Sequence, residues 1–492
     1  MREDTANKTR VWAMTRLIAT VAMPAMLMQA AACGVAVRGV DRAVKSVTTS
    51  RLFHRGRTGA LTPQEREWAT AAWRYFDANR QPETGLVASV AYTNTVSMWQ
   101  IADYVAALIV ARELRLIDAT QFDERFRRVT HFLNVMELYD GRVPNRTYST
   151  TSWKPLNATN AEGPQGWSAI DLGRLLLWLR IARDRYPQYA EYTDKAILRW
   201  NFCDVVDRDG VLHGGELAGG TTKTFAEGRL GYEEYAAAGF RAWGFTTTRA
   251  SSLDPIEKVR IYGIDLPVDA RDPRVTGTPA PVVTLPWVLL GLELDWRDDV
   301  NAHAQAQAQA DGSTRPLEDI ATLIYRIQEE RFRREQIYTA RTDHPIGRAP
   351  WFIYDSIHAG GFPFNTTAAD GAHQPQSSLV STRAAFGLWA LWNTDYTTRL
   401  MTIVEPLHNK ERGWFEGRLE QTGGAEELFS STTNAVVLEA LLYKVQGPLF
   451  ESRPRPGYFD LVIRNEFTRP PHCLPQPSPS LASAEAKARK PR

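Results

Sequence analysis

The 492-residue sequence has three cysteines, almost no charge imbalance, and no segment beyond its N-terminus with the length and apolarity of a membrane span. Each shortage excludes something. Lys and Arg number 58 against 56 Asp and Glu, a formal net charge of +2, so no basic excess argues for nucleic acid as a partner. Nine His are scattered with no pair at ligand spacing, which speaks against a catalytic zinc or other metal site. There is no Gly-rich phosphate loop and no Gly-x-Ser-x-Gly elbow, and no cofactor is implied. Cys203 follows Arg199-Trp200-Asn201-Phe202, which reads as packed core, and Cys473 lies in a Pro-rich tail. A disulfide between them is possible in an oxidising compartment, but two unpaired thiols are expected.

The N-terminus reads as an address. Arg2, Lys8, Arg10 and Arg16 precede an apolar stretch over residues 17–28, too short to cross a bilayer comfortably. It ends in Gln29-Ala30-Ala31-Ala32-Cys33, which is similar to a bacterial lipoprotein box except at Ala30, where that box prefers a larger apolar residue. Ordinary cleavage after Ala32 fits nearly as well. The expectation is an exported, periplasmic protein held at a membrane by lipid on Cys33. Residues 1–32 are the signal segment, 33–61 a polar tether, 62–450 one folded domain, and 451–492 a disordered Pro-rich tail. Oligomeric state is not legible.

Between the tether and the tail two kinds of helix alternate. One is amphipathic: Phe122, Phe126, Val129, Leu133 and Met136 step by three and four, with Asp123, Glu124, Arg125, Arg127 and Arg128 opposite. The other is apolar nearly all round, as over residues 101–110, 169–182, 285–294, 384–392 and 435–445. Helices wetted on one side and helices buried on all sides imply an outer layer around an inner one. Outer helices are expected to begin near Pro63, Thr120, Gln188, Ser251, Arg315 and Thr394, and inner ones near Val96, Gly166, Leu230, Val283, Ser378 and Ser431. Six such pairs make an all-α, (α/α)6 toroid; an open solenoid would alternate too, without a central funnel. Long loops over 157–166, 207–225, 269–281 and 342–376 exceed or approach the length at which loops are usually functional. Residues 206–212 read as a hairpin turn, and 304–310, an Ala-Gln repeat, as a flexible insertion.

One acidic phrase occurs twice. Glu227-Gly228-Arg229-Leu230 runs into Gly231-Tyr232-Glu233-Glu234-Tyr235, and Glu416-Gly417-Arg418-Leu419 follows Gly413-Trp414-Phe415. Carboxylates beside aromatic rings, a Gly turn and one Arg suit a wet, concave site for a polyhydroxylated ligand. Capping or surface pairing would explain the same residues without any site.

The phrases Thr84-Gly85-Leu86-Val87, Met98-Trp99, Gly166-Trp167-Ser168-Ala169-Ile170-Asp171-Leu172-Gly173-Arg174, Leu198 through Cys203, Glu227 through Tyr235, and Thr433-Asn434-Ala435 through Tyr443 together resemble a bacterial family of uncharacterised domains. That family is grouped with (α/α)6 toroids close to the glucoamylase-like and endo-β-1,2-glucanase families. Gln100 and Asp355 depart from its pattern, which has an acid and an Asn there. The resemblance implies a glycoside hydrolase that inverts configuration on a bacterial β-glucan or exopolysaccharide, with one carboxyl protonating the leaving oxygen and another activating water. Since the third and sixth pairs face each other in a ring of six, Glu233 is the expected acid and Glu416 the expected base, with Asp171, Glu227 and Glu234 as further carboxyl candidates. Trp99, Trp167, Tyr232, Tyr354 and Trp414 are expected to stack on sugar, with Arg229 beside them. Two other readings stay open: a non-catalytic glycan-binding or scaffold lipoprotein, and a polysaccharide lyase using Arg174, Arg229 and Tyr232.

Overall fold

The computed structural model describes residues 56–276, 280–297, 316–451, 457–465 and 472–475. The export segment, Cys33, most of the tether, the Ala-Gln repeat and much of the tail lie outside them. The described helices of eight residues or more are α1 (Pro63–Ala78), α2 (Met98–Glu113), α3 (Ala119–Val135), α4 (Ala169–Arg185), α5 (Ala190–Leu198), α6 (Tyr232–Arg241), α7 (Leu285–Leu294), α8 (Pro316–Glu335), α9 (Thr382–Leu391), α10 (Asp395–Val404), α11 (Ser431–Gln446) and α12 (Tyr458–Asn465). No described helix is long and apolar enough to cross a membrane.

Local chemistry fixes where these helices start. Thr62, Ser97 and Asp118 each cap a helix while Glu65, Gln100 and Gln121, three residues on, reach back to the cap's own N–H. Such reciprocal capping satisfies donors that a helix start leaves open. The two expected helix types are both present. In α2 every residue from 101 to 111 is buried, whereas α3 buries only one stripe, Phe122, Phe126, Val129, Thr130, Phe132 and Leu133.

The all-buried helices form the inner layer. In chain order α2, α4, α6, α7, α9 and α11 pack each on the next, and α11 returns to α2, so the layer closes on itself. Helices α1, α3, α5, α8 and α10 lie against them from outside. Two inner helices meet almost backbone to backbone: a methyl group on Gly239 of α6 would fall 1.9 Å from the Gly173 carbonyl oxygen of α4.

The expected fourth outer helix near Ser251 is absent. In its place β-strands Ile256–Ile261 and Ile264–Asp269 form an antiparallel hairpin that packs on α8. Tyr262 and Gly263 turn it with φ of 53° and 83°, the two-positive geometry of the tightest hairpins, and the flanking residues alternate apolar and polar instead of stepping by three and four. The fold is therefore helix-rich with five described outer helices and a hairpin around six inner ones.

Two further expectations are corrected at the C-terminus. Cys203 and Cys473 are joined in a disulfide, with Cα atoms 4.9 Å apart. The chain returns to make it, since Phe202 N–H donates to the His472 carbonyl at 2.9 Å. Nor is all of 451–492 loose: α12 packs on α5, Phe459 is buried edge-on to Trp243, and Asp460 pairs with Arg183 at 2.8 Å. The expected turn over 206–212 does form, closed by a bridge between Val206 and Leu212.

Short strands gather where the inner helices begin. Gly166–Trp167, His213–Ala218 and Thr221–Ala226 form one antiparallel sheet leading into α4 and α6. Leu379–Ser381, Gly413–Leu419 and Ala425–Phe429 belong to another, leading into α9 and α11.

Candidate active site at the mouth of the helix ring

All six inner helices present their first turns, or the residue just before them, to one cavity of about 330 Å³. Ser97 and Trp99 come from α2, Ser168 and Asp171 from α4, Tyr232 and the preceding residues 227–230 from α6, Leu285 from α7, Arg383 from α9 and Thr432 from α11. Asp343, Phe352 and Tyr354 come from the long loop after α8. Six helix N-termini bring their positive dipole ends to one place, a setting that favours carboxylates and anions.

Three carboxyl groups line this cavity: Asp171, Glu227 and Asp343. Glu227 leaves the strand Thr221–Ala226 just before Gly228, whose φ of 102° a residue with a side chain rarely adopts. Its Oε2 accepts the Ala169 N–H at 2.5 Å, and Arg146 stands 3.8 Å from Oε1. Burial, opposed by Arg146 and reinforced by Asp171, pushes the Glu227 carboxyl up to about 7. Burial also raises Asp171, which accepts the Ser97 hydroxyl at 2.9 Å. Asp343 accepts the Tyr232 hydroxyl at 2.9 and 2.8 Å and the Thr342 hydroxyl at 2.8 Å. Trp99, Tyr232, Phe352 and Tyr354 supply rings to the same walls, Trp99 standing edge-on to Tyr232 at 5.7 Å and Phe352 to Tyr354 at 5.4 Å.

The expected residues divide cleanly. Asp171, Glu227, Trp99, Arg229, Tyr232 and Tyr354 line the cavity. The expected acid–base pair does not. Glu233 is turned to Arg271, whose Nη1 donates to it at 2.7 Å. Glu416 is fully buried in the sheet strand Gly413–Leu419, hydrogen-bonded by Ser430 and 3.3 Å from Arg383. Glu234 closes a helix start, accepting the Gly231 N–H at 2.6 Å. The indole of Trp167 donates to the His213 carbonyl at 2.9 Å and packs on Gly215, and Trp414 is enclosed by Trp68, Phe386 and His408. Both rings are core.

The family model described as a protein of unknown function (DUF3131) matches residues 67–447. The chain belongs to this family. No curated protein matches it. Among solved structures it is similar to an endo-β-1,2-glucanase of Chitinophaga pinensis, solved with sophorotriose and glucose, at 13% identity and a TM-score of 0.54, covering 84% of this chain and 97% of that one. A protein named only provisionally as a glucoamylase, from Bacteroides caccae, gives 12% identity and a TM-score of 0.55 over 78% of this chain and 94% of its own. A β-1,2-glucanase of Parabacteroides distasonis gives 13% identity and a TM-score of 0.53 over 79% and 57%. At such identities the likeness is one of fold.

Beneath the cavity this family member carries a closed polar hub that sequence reading did not anticipate. Arg174 of α4 is fully buried and donates to Asp103 of α2, Glu293 of α7 and Glu439 of α11 at 2.7–3.0 Å, and to the Tyr235 hydroxyl of α6 at 2.5 Å. Burial raises Asp103 and drives Glu439, beside Glu293, well above the carboxylate range. Arg174 is thus a strut of the ring, not a substrate-facing cation. Sequence reading also missed Asp343, Phe352 and Arg383. Asp343 opens the long loop over 342–376, whose length was its only signal.

Proposed function

We propose that the protein is a glycan-active enzyme, an inverting glycoside hydrolase acting on a bacterial β-glucan or exopolysaccharide. The observation that carries this reading is the convergence of Asp171, Glu227 and Asp343 with four aromatic rings in one cavity at the ring's mouth. Glu227 is the proton donor: a carboxyl pushed up to about 7 keeps its proton up to near-neutral pH and can release it to a leaving oxygen. Asp343 is the base, its carboxylate held by the Tyr232 and Thr342 hydroxyls. In the reaction the anomeric C–O bond breaks, Glu227 protonates the leaving oxygen, water bonds to the anomeric carbon, and its proton passes to Asp343. Asp171 is a positioning residue whose negative charge helps keep Glu227 protonated. The rings stack on sugar faces. The fold shared with β-1,2-glucanases supports a glucan as the first substrate to try.

Export, with lipid on Cys33, belongs to the same proposal. It is supported by the N-terminal sequence and by the Cys203–Cys473 disulfide, a bond suited to an oxidising compartment. Mass spectrometry of the mature N-terminus from fractionated cells tests it; an unacylated chain in the cytosol ends it.

The full chain incubated with a panel of bacterial glucans tests the catalytic reading. Sugar release that Glu227→Gln abolishes, with the first product anomer inverted by NMR, is the expected result. Binding without release, unchanged in Glu227→Gln, would instead favour a glycan-binding scaffold.

A further inference from the structure

Arg229 is a buried cation with no acid of its own. It lines the cavity and is 6% exposed, and it forms no ion pair with any described residue. Its Nη1 donates to the Gly228 carbonyl, and the Ala226 and Thr276 carbonyls lie only at 3.5 Å. Its Nε is buried with no partner. The two nearest acids, Asp269 and Glu233, attract it electrostatically but are hydrogen-bonded by Arg271, which donates to both, to Glu233 at 2.7 Å. Arg383, 3% exposed on the same cavity, is paired with Glu416 at 3.3 Å and donates from Nη2 to the Asp343 carbonyl, but its buried Nε has no partner.

An isolated guanidinium away from water is costly unless something anionic meets it. A sugar hydroxyl can accept one hydrogen bond from it but leaves the charge uncompensated. A carboxylate or phosphoryl group compensates the charge and matches the planar fork with two parallel bonds. The helix N-termini that end at this cavity favour the same sign of ligand. No cavity carboxyl pairs with Arg229 among the described residues: Asp171 and Asp343 accept hydroxyl donors instead, and Glu227 accepts the Ala169 N–H.

We propose that the cavity takes a glycan whose bound sugar carries an anionic group, a carboxylate or a phosphoryl ester, and that Arg229 is its specificity determinant with Arg383 as a second cationic contact. The proposal rests on the reading of this cavity as the glycan site. It narrows the substrate class from neutral glucans to acidic or phosphorylated ones.

Titration calorimetry with the full chain carrying Glu227→Gln tests it on three probes of equal length: an oligoglucuronate, a phosphorylated β-glucan oligosaccharide and the unsubstituted β-glucan. At least one anionic probe should bind about tenfold tighter or more than the neutral one, and the advantage should shrink with added salt. Which anionic probe wins identifies the group. Adding Arg229→Gln should remove the advantage of the anionic probe over the neutral one; Arg229→Lys should keep part of it. Equal or tighter binding of the neutral probe overturns the proposal, as does a preference that survives Arg229→Gln or no binding of any probe. If Arg229→Gln does not fold, the salt dependence and Arg229→Lys decide alone. The wild-type chain separates the two readings. Cleavage of neutral glucan in preference to both anionic probes defeats this proposal and leaves the hydrolase standing. Anionic probes bound but never cleaved defeat the hydrolase and leave this proposal standing.

Discussion

The two copies of Glu-Gly-Arg-Leu have opposite fates. In the first, Glu227 follows the end of a strand, Gly228 takes a φ of 102°, and all four residues face the cavity. In the second, Glu416 to Leu419 continue a strand with neighbours on both sides, and Gly417 is pressed against the Val380 carbonyl. Burial raises the proton affinity of both, but Glu227 keeps an open side whereas Glu416 is shut in with Ser430 and Arg383. Arg229 has no acid partner, while Arg418 donates to the Gly423 carbonyl at 2.9 Å to close a turn. Identical residues line the cavity or are packed into a sheet according to whether neighbouring strands cover them.

That contrast can be broken at each position. The largest effect is expected from Glu227→Gln, which should lower kcat by about 10²–10⁴-fold while the protein stays folded. The wild-type alkaline limb should fall near pH 7, where Glu227 loses its proton, and vanish with the variant. Stability carries the same sign. A carboxyl whose folded value lies above its unfolded value stabilises fully below about pH 4.5, and the contribution is lost as pH rises through about 7. Denaturant melts across that window should therefore slope less for Glu227→Gln.

Glu416→Gln should act the other way. Removing the buried charge beside Arg383 leaves that guanidinium uncompensated, a loss of about 3–5 kcal/mol by urea melts. A drop in activity with stability untouched would contradict the assignment. Next in size, Gly417→Ala should cost about 1–3 kcal/mol, since the added methyl would lie 2.5 Å from the Val380 oxygen. Smallest, Arg418→Gln should cost about 0.5–1.5 kcal/mol and leave glycan affinity alone, in contrast to Arg229→Gln.

Much of the architecture was legible because burial leaves a periodic trace. Residues 101–111 carry almost no polar side chain and became a wholly buried inner helix; residues 122–136 alternate faces and became an outer one. The hairpin over 256–269 stands where a helix beginning near Ser251 is expected, because its Tyr262-Gly263 turn and alternating flanks outweigh the even spacing of helix pairs along the chain. Of the candidate site, Asp171, Glu227, Trp99 and Tyr232 were found because each sits at or just before an inner helix's first turn. Glu233 was misplaced by one helical step: it and Tyr232 are consecutive, so they point to different sides, one toward Arg271 and one into the cavity.

The sequence by itself determined which segments are buried on all sides, where most helices begin, and that acids and rings cluster at those beginnings. Capping, periodicity and apolar content are local, so a one-dimensional reading reaches them. Only the tertiary structure decided that Glu227 and not Glu416 faces the open space, that Asp343 joins it from a distant loop, that Cys203 meets Cys473, and that Arg174 is a strut while Arg229 stands without an acid. Each of those outcomes depends on which groups from remote parts of the chain arrive within hydrogen-bonding distance, and that distance is a property of the closed ring.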